Sequence, residues 1–514
     1  MLTENLSVQT LAPSRKIAAL EIAIAFLVIS AVMALIQFSG KAILDNDGYY
    51  HIRWSRMLRE SFPALPSFKA LPLTTLNENE YVDHHYLYHL LLSPFTLGDL
   101  RVGAKLAAVA FSSLALTSLF GLLVAYRIPY RWLWLLPLIA SSEPFLYRLS
   151  MTRAPALSII LMGIGAHLIL ERKNLWLACL AFIFVWAYSL FPLTLVMALG
   201  YSTCVYLTRR EFDFRPVLAS TVGIIAGLII NPYFPTNLKL FYEHLLMKVT
   251  ANYTVDVGVE WYPYDSWVLI GSSALAFIIF IAALIAFDFR KRAEDMKPLF
   301  FLFIAIVLML MVFKSRRFIE YFPPFAILFG AFTIKPQLNH PWLTRTRDSI
   351  IAISVSIILA IALLATMMIN VAQACKDVSS EADPFAYEGA GKWLAENTSP
   401  GTLVFNTDWD DFPMLFYFSP NNAYTAGLDP TYLYDQDREL WHLYADITLG
   451  RRSDAAILIR ERFGAEYVFT DNQHREFLDI TERSRIFKVV YKDDKTTVLR
   501  LISAEEEQNQ SDEK

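Results

Sequence analysis

Charge is what this chain has least of. Only 18% of its 514 residues are Asp, Glu, Lys or Arg, where a soluble domain carries about a quarter. Its three cysteines, Cys179, Cys204 and Cys375, are an odd and scattered set, which excludes a disulfide framework and a zinc site. No P-loop, dinucleotide fingerprint, nucleophile elbow or zinc-protease helix occurs, and the missing nucleotide motif argues against a transport ATPase. A net charge of −4 offers no basic field for nucleic acid. Solenoid repeats are absent. So is a small-residue cleavage site after the first apolar run, and Ile17–Phe38 therefore reads as a retained span, not a signal peptide.

What is abundant is apolar: 55% of the residues are hydrophobic and 14% aromatic, and they cluster. The runs are Ile17–Phe38, Gly103–Tyr126, Trp132–Leu149, Ala154–Leu170, Leu175–Leu190, Pro192–Leu207, Pro216–Ile230, Trp267–Phe287, Pro298–Phe313, Phe318–Ile334 and Ser349–Val371. They predict a polytopic α-helical membrane protein of about eleven transmembrane helices. The two runs flanking Leu190–Pro192 can equally be one broken helix.

Basic residues orient the chain. Arg15 and Lys16 precede the first span. Arg127 and Arg131, Arg172 and Lys173, Arg209, Arg210 and Arg215, Arg290 to Lys297, and Lys335 to Arg347 then fall in alternate loops. The positive-inside rule makes that side cytoplasmic. The opposite side receives the first outer loop (40–102), Ser141–Arg153, a late loop (232–266), Lys314–Arg317 and the tail. Beyond the transmembrane part (1–375), residues 376–504 read as a soluble α/β domain. Pro384–Glu396, Leu433–Leu449 and Ala455–Phe463 are its predicted helices. Thr402–Asn406, Tyr467–Thr470 and a hairpin of Ile486–Lys492 with Thr496–Ile502 are its predicted strands. The acidic end, 505–514, has a disordered composition.

Every polar cluster of interest lies on the outer side. Asp45 and Asp47 sit just past the first span in Asp45-Asn46-Asp47-Gly48-Tyr49-Tyr50-His51-Ile52-Arg53. Carboxylates at membrane depth need a use, and these can ligate magnesium or manganese or serve as a general base. An acidic solvated loop is the ordinary alternative. Asp83, His84 and His85 can ligate a metal, with His89 a helical turn beyond. The same stretch also reads as an amphipathic surface helix anchored by Tyr86 and Tyr88. Glu260 stands among Trp261, Tyr262, Tyr264 and Trp267, which an interfacial aromatic belt explains. Lys314, Arg316 and Arg317, with Arg148 and Arg153, are cations on the wrong side for the charge rule. A bound phosphate explains them, as does snorkelling to headgroups. Asp408-Trp409-Asp410-Asp411 follows a predicted strand, a common place for a binding loop.

These stretches resemble the C-type glycosyltransferases, which use polyprenyl-linked sugars, and more closely the catalytic subunit of oligosaccharyltransferase. Asp47-Gly48-Tyr49-Tyr50-His51-Ile52-Arg53 is similar to that family's first-loop acidic motif, Val259-Glu260-Trp261-Tyr262-Pro263 to its late-loop Glu motif, and Arg317-Phe318-Ile319-Glu320-Tyr321 to the segment whose Arg holds the lipid-linked phosphate. Trp409-Asp410 falls where the family has its Trp-Trp-Asp acceptor motif, with one Trp missing. The resemblance implies Asp47, with Asp45 beside it, as the catalytic carboxylate. It implies Arg317, or the competing Arg316, for the donor phosphate, helped by Arg153 and Arg148, and Trp409 and Asp410 for the acceptor. Glu260 becomes a second metal ligand. The oligosaccharyltransferases also carry an Asp-x-Asp before the fourth span, whereas Arg148-Leu149-Ser150-Met151-Thr152-Arg153-Ala154-Pro155 has no acid. Either Asp83 with a nearby His supplies the missing ligands to a Mg2+ or Mn2+ ion, or the chemistry is metal-independent.

The implied activity is transfer of a sugar from a polyprenyl-phosphate donor to a periplasmic glycan or protein acceptor. It would take place in the bacterial inner membrane, with the N-terminus cytoplasmic and the tail periplasmic. The rivals are en bloc transfer of a lipid-pyrophosphate-linked glycan to protein, and a non-enzymatic lipid-linked-glycan transporter or binding subunit.

Overall fold

The computed structural model describes residues 15–242, 258–293, 295–338, 350–381 and 383–502. The middle of the late outer loop and the acidic end, 505–514, lie outside these residues. The first half of the chain folds as α1 (Arg15–Gln37), α2 (Asp47–Ser61), α3 (Tyr86–Leu92), α4 (Leu100–Ala125), α5 (Arg131–Ala140), α6 (Glu143–Leu149), α7 (Pro155–Leu170), α8 (Asn174–Ala187), α9 (Pro192–Arg209), α10 (Arg215–Ile229) and α11 (Thr236–Phe241). Helices Ser266–Ser272, Ala274–Ala286, Lys297–Lys314, Phe322–Leu338 and Ile350–Ser379 follow.

Among the described residues four helices are long and apolar enough to cross a bilayer: Arg15–Gln37, Leu100–Ala125, Lys297–Lys314 and Ser356–Ser379. The run read as Trp267–Phe287 is a pair of helices bent by 85° and makes a fifth if it counts as one span. Shorter apolar helices, including Arg131–Ala140, Pro155–Leu170, Asn174–Ala187 and Arg215–Ile229, account for further runs of the expected eleven. The run Trp132–Leu149 is divided into α5 and α6, because Ser142 leaves the helix to cap α6, its Oγ accepting from Phe145 N at 3.3 Å. The stretch around Leu190 and Pro192 separates two helices, α8 and α9. The last long helix runs on to Ser379, past the boundary expected at residue 375.

The helices bury stripes, not whole surfaces. On α1 the buried residues Ala25, Ile29, Met33 and Ile36 recur at helical spacing, and this face joins the core shared with α4. Lys105 on α4 is itself buried, and its Nζ donates to the carbonyls of Gln37 at 2.8 Å and Gly40 at 2.7 Å. Gln37 ends α1 and Gly40 lies in the turn after it, where helix carbonyls have no partners within the helix. The lysine thus ties α4 to the start of the loop 40–102. Between α8 and α10 the packing depends on glycine: a Cβ on Gly227 would meet Phe182 O at 2.9 Å, and one on Gly223 would overlap Ala178 O. Small residues of this kind let apolar helices approach closely.

The tail carries a five-stranded mixed sheet in the order β2-β1-β3-β5-β4, built of β1 (Leu403–Asn406), β2 (Ala423–Tyr424), β3 (Tyr467–Asp471), β4 (Phe487–Lys492) and β5 (Thr496–Leu501). Parallel pairs β1–β2 and β1–β3 meet antiparallel pairs β3–β5 and β4–β5. The predicted hairpin is present. The predicted helix Leu433–Leu449 is two, Thr431–Gln436 and Arg438–Thr448, since Asp437 is extended and caps the second by accepting from Leu440 N. The tail docks on α2 through its helix Phe412–Phe418: Arg53 donates to Tyr417 O and Tyr49 packs edge-on to the Tyr417 ring at 5.3 Å. From β2, Tyr424 N donates to Ala70 O, in the loop after α2, at 2.8 Å.

Replacing Gly223 with Val should separate α8 from α10 and cost ~1–3 kcal/mol, read as a lower Tm of the detergent-solubilised protein. An unchanged Tm would show that this crossing tolerates a side chain.

Candidate functional site

Six separate stretches converge on one cavity of about 420 Å³, lined among others by Asp45, Asp47, Asp83, His84, His85, Arg148, Arg153, Glu260, Arg317, Trp409 and Asp410. Sequence reading placed all of these on one side, and they share one pocket. Arg316 does not belong to it. It donates to Pro263 O at 3.2 Å, stacks on Tyr264 and lines a neighbouring cavity instead.

Local structure explains the convergence. Asp45 has φ 73°, a left-handed backbone that a residue with a Cβ adopts at a cost. This turn lets Asn46 precede α2 and sets Asp45 and Asp47 on the same side. Gly48 admits the loop from α6 to α7, since a Cβ there would lie 2.6 Å from Ile43 Cγ2 and 3.3 Å from Thr152 Cβ. That close approach brings in Arg153. The Glu260 turn, Val259–Trp261, is tied to the segment after Lys314: Ser315 Oγ donates to Glu260 O at 2.8 Å and Arg316 N to Tyr262 O at 3.0 Å. Asn46 Nδ2 donates to Asp410 Oδ2 at 3.1 Å, which brings the tail to the rim.

At the centre one guanidinium serves three carboxylates. Arg153 lies 2.6 Å from Asp45 and 2.6 Å from Asp47, and 3.0 Å from Glu260. Glu260 in turn faces three guanidiniums, with Arg148 at 3.1 Å and Arg317 at 3.6 Å besides Arg153. Arg148 is also held by Glu320 at 2.7 Å, a partner that sequence reading quoted without assigning. The guanidinium carbon of Arg317 lies over the Trp261 ring, 4.2 Å from its centroid. Burial alone would raise the Glu260 carboxyl, but Arg317, Arg153 and Arg148 hold it well below the usual range. Asp45 goes the other way: burial, with Asp47 and Glu260 adding repulsion, outweighs Arg153 and lifts it to about 7. Asp47 is raised for the same first reason. Burial and the nearby Asp47 and Asp408 bring Asp410 to about 6.

The candidate metal donors do not fit a shared cation as they stand. Asp47 and Glu260 are directed at Arg153. Asp83 accepts from His89 Nδ1 at 2.8 Å, Trp54 Nε1 at 3.0 Å and His85 N at 3.0 Å. Among the described residues no three His, Cys, Asp or Glu side chains group as a metal site. Tyr88, expected as an interfacial anchor, is buried, because α3 packs its Tyr88 face against Phe111 and the ring of His51. His89, read as part of the Asp–His cluster, meets His51 of α2, left without a role, in the cavity wall at 2.7 Å. No local spacing links α2 to α3.

This arrangement of apolar helices, cavity and terminal sheet shares its fold with solved oligosaccharyltransferase and ArnT structures. The oligosaccharyltransferase of Archaeoglobus fulgidus, solved with a tethered acceptor peptide, superposes with a TM-score of 0.62 at 14% identity over 93% of this chain and 74% of that one. The same archaeal enzyme with an inhibitory peptide and a dolichol-phosphate gives a TM-score of 0.61 at 12% identity over 89% and 70%. ArnT from Cupriavidus metallidurans bound to undecaprenyl phosphate gives a TM-score of 0.58 at 14% identity over 95% of this chain and 99% of that one. No protein-family model and no curated protein sequence matches the chain.

Asp45 makes stability pH-dependent with a definite sign. Its carboxyl is protonated more readily when folded, so its contribution is full below the ordinary value of 3.8 and is lost as pH rises towards about 7. The Tm of wild type should therefore fall across that window relative to Asp45→Asn. Parallel pH curves for the two proteins would contradict it.

Proposed function

We propose that the protein is a membrane glycosyltransferase of the bacterial inner membrane that moves a sugar from a polyprenyl-phosphate donor to a hydroxyl acceptor on the periplasmic side. The observation that carries this reading is the trio of guanidiniums gathered on Glu260. Three cations held by one carboxylate form a ready anion site, and Arg317, the most distant of the three from Glu260, is the one free to re-pair with a phosphate. Its guanidinium fork, held over Trp261, suits bidentate binding of phosphate oxygens.

In this reading the lipid tail lies among the helices and the phosphate against Arg317 and Arg153. Charge that builds on the departing phosphate meets fixed cations in a buried site, where such stabilisation is a large catalytic term. Asp47 and Asp45 flank the anomeric carbon, whose transition state gains positive character, and they hold Arg153 in place. No step is routed through a metal. The neighbours solved with undecaprenyl phosphate and with a dolichol-phosphate support a lipid-phosphate donor, and the charge distribution of the loops supports a periplasmic tail.

A second reading, en bloc glycan transfer to protein, draws on Trp409 and Asp410 at the cavity rim and on the neighbour that holds an acceptor peptide. The transporter reading has no comparable support, since the polar groups described above gather at one face.

Two variants test the first reading. Asp47→Ala should abolish transfer while the protein still inserts and keeps its Tm; near-normal activity would sink the assignment. Arg317→Ala should weaken undecaprenyl phosphate binding, measured by titration, on the order of 10- to 100-fold, the cost of one charge-assisted hydrogen bond. Unchanged affinity with a lowered Tm would make Arg317 structural. Mass spectrometry of periplasmic proteins and surface glycans from cells lacking the gene separates the two transferase readings.

A further inference from the structure

The transfer proposed above needs a base for the acceptor hydroxyl, and the carboxylates nearest the cavity centre are all turned to Arg153. The cavity wall holds another candidate. Asp83, His89 and His51 form a buried chain: His89 Nδ1 lies 2.8 Å from both oxygens of Asp83, and His89 Nε2 lies 2.7 Å from His51 Nδ1. The far nitrogen, His51 Nε2, makes no hydrogen bond among the described residues, and His51 lines the cavity. Trp54 Nε1 and His85 N fix Asp83 from the other side, so its carboxylate is fully engaged and oriented. An acceptor-only carboxylate obliges His89 Nδ1 to carry a proton. When His89 is neutral, its Nε2 must accept from His51 Nδ1, which leaves a lone pair on His51 Nε2 facing the cavity.

We propose that Asp83, His89 and His51 are a proton relay, with His51 the base that receives the acceptor's proton. The step balances. The acceptor O–H breaks and its proton goes to His51 Nε2. The oxygen forms the new bond to the anomeric carbon, and the carbon–oxygen bond to phosphate breaks with its electron pair leaving on the phosphate. The proton on His51 Nδ1 passes to His89 Nε2. The positive charge ends on His89 against the Asp83 carboxylate, away from the arginines. This displacement has a physical reason in the geometry: His89 Nδ1 faces the Asp83 carboxylate, whereas His51 has no acid partner among the described residues. His51 is thus the catalytic residue; His89 and Asp83 are positioning residues that receive charge.

The inference rests on the glycosyltransferase reading, and its test separates the two. With purified protein in lipid nanodiscs, His51→Gln should lower kcat ~10²- to 10⁴-fold while undecaprenyl phosphate affinity stays unchanged. Asp83→Asn should lower kcat less and shift the acid limb of the pH–rate profile. Wild type should give a curved, two-proton solvent-isotope inventory, and His89→Gln a linear one. The wild-type inventory needs no variant to fold, and a linear wild-type result overturns the relay. So does a His51→Gln protein within threefold of wild type. A wild type that transfers sugar to no acceptor overturns the glycosyltransferase reading and the relay with it.

Discussion

One guanidinium among three carboxylates is the contact on which the site depends. Arg153 draws in the start of α2 through Asp45 and Asp47 and the late outer loop through Glu260. The arrangement is expensive. Taking an ion from water costs several kcal/mol, while two unit charges 4 Å apart regain about 4 kcal/mol at an effective dielectric of 20. A hydrophobic cluster would stabilise the fold at least as well. What the ion cluster provides is a set of charges already oriented in a buried cavity.

The cluster has a supporting frame. Lys105 fixes the exit of α1, Gly48 admits the loop that carries Arg153, and Ser315 ties the Glu260 turn to the arginine segment. Each is a small or polar residue whose effect is felt one contact away. The aromatic groups add contacts: Trp261 lies against Arg317, and Trp54 Nε1 donates to Asp83.

Sequence reading recovered the helical character, the terminal sheet's hairpin and most of the residues that line the cavity. It succeeded where the signal is local: apolar runs, misplaced arginines, acids beside aromatics. It missed what depends on contacts distant along the chain. The α5–α6 division depends on Ser142 serving as a cap. Tyr88 was read as an anchor because its neighbours are interfacial in type, yet Phe111 and His51 bury it. The pairing of His51 with His89 is invisible in one dimension because α2 and α3 meet only after the intervening loop folds. The exclusion of Arg316 from the cavity follows from the backbone turn at Arg316–Glu320, which sends adjacent arginines to different cavities.

The hydrogen bond from Asn46 to Asp410 joins the earliest outer loop to a segment made after the last long helix. Synthesis therefore delivers the two halves of the rim at opposite ends of its course. Until the tail has emerged and docked on α2, the arginines and carboxylates lack one wall. The order of the chain itself thus leaves the cavity incomplete until its last segment has been made.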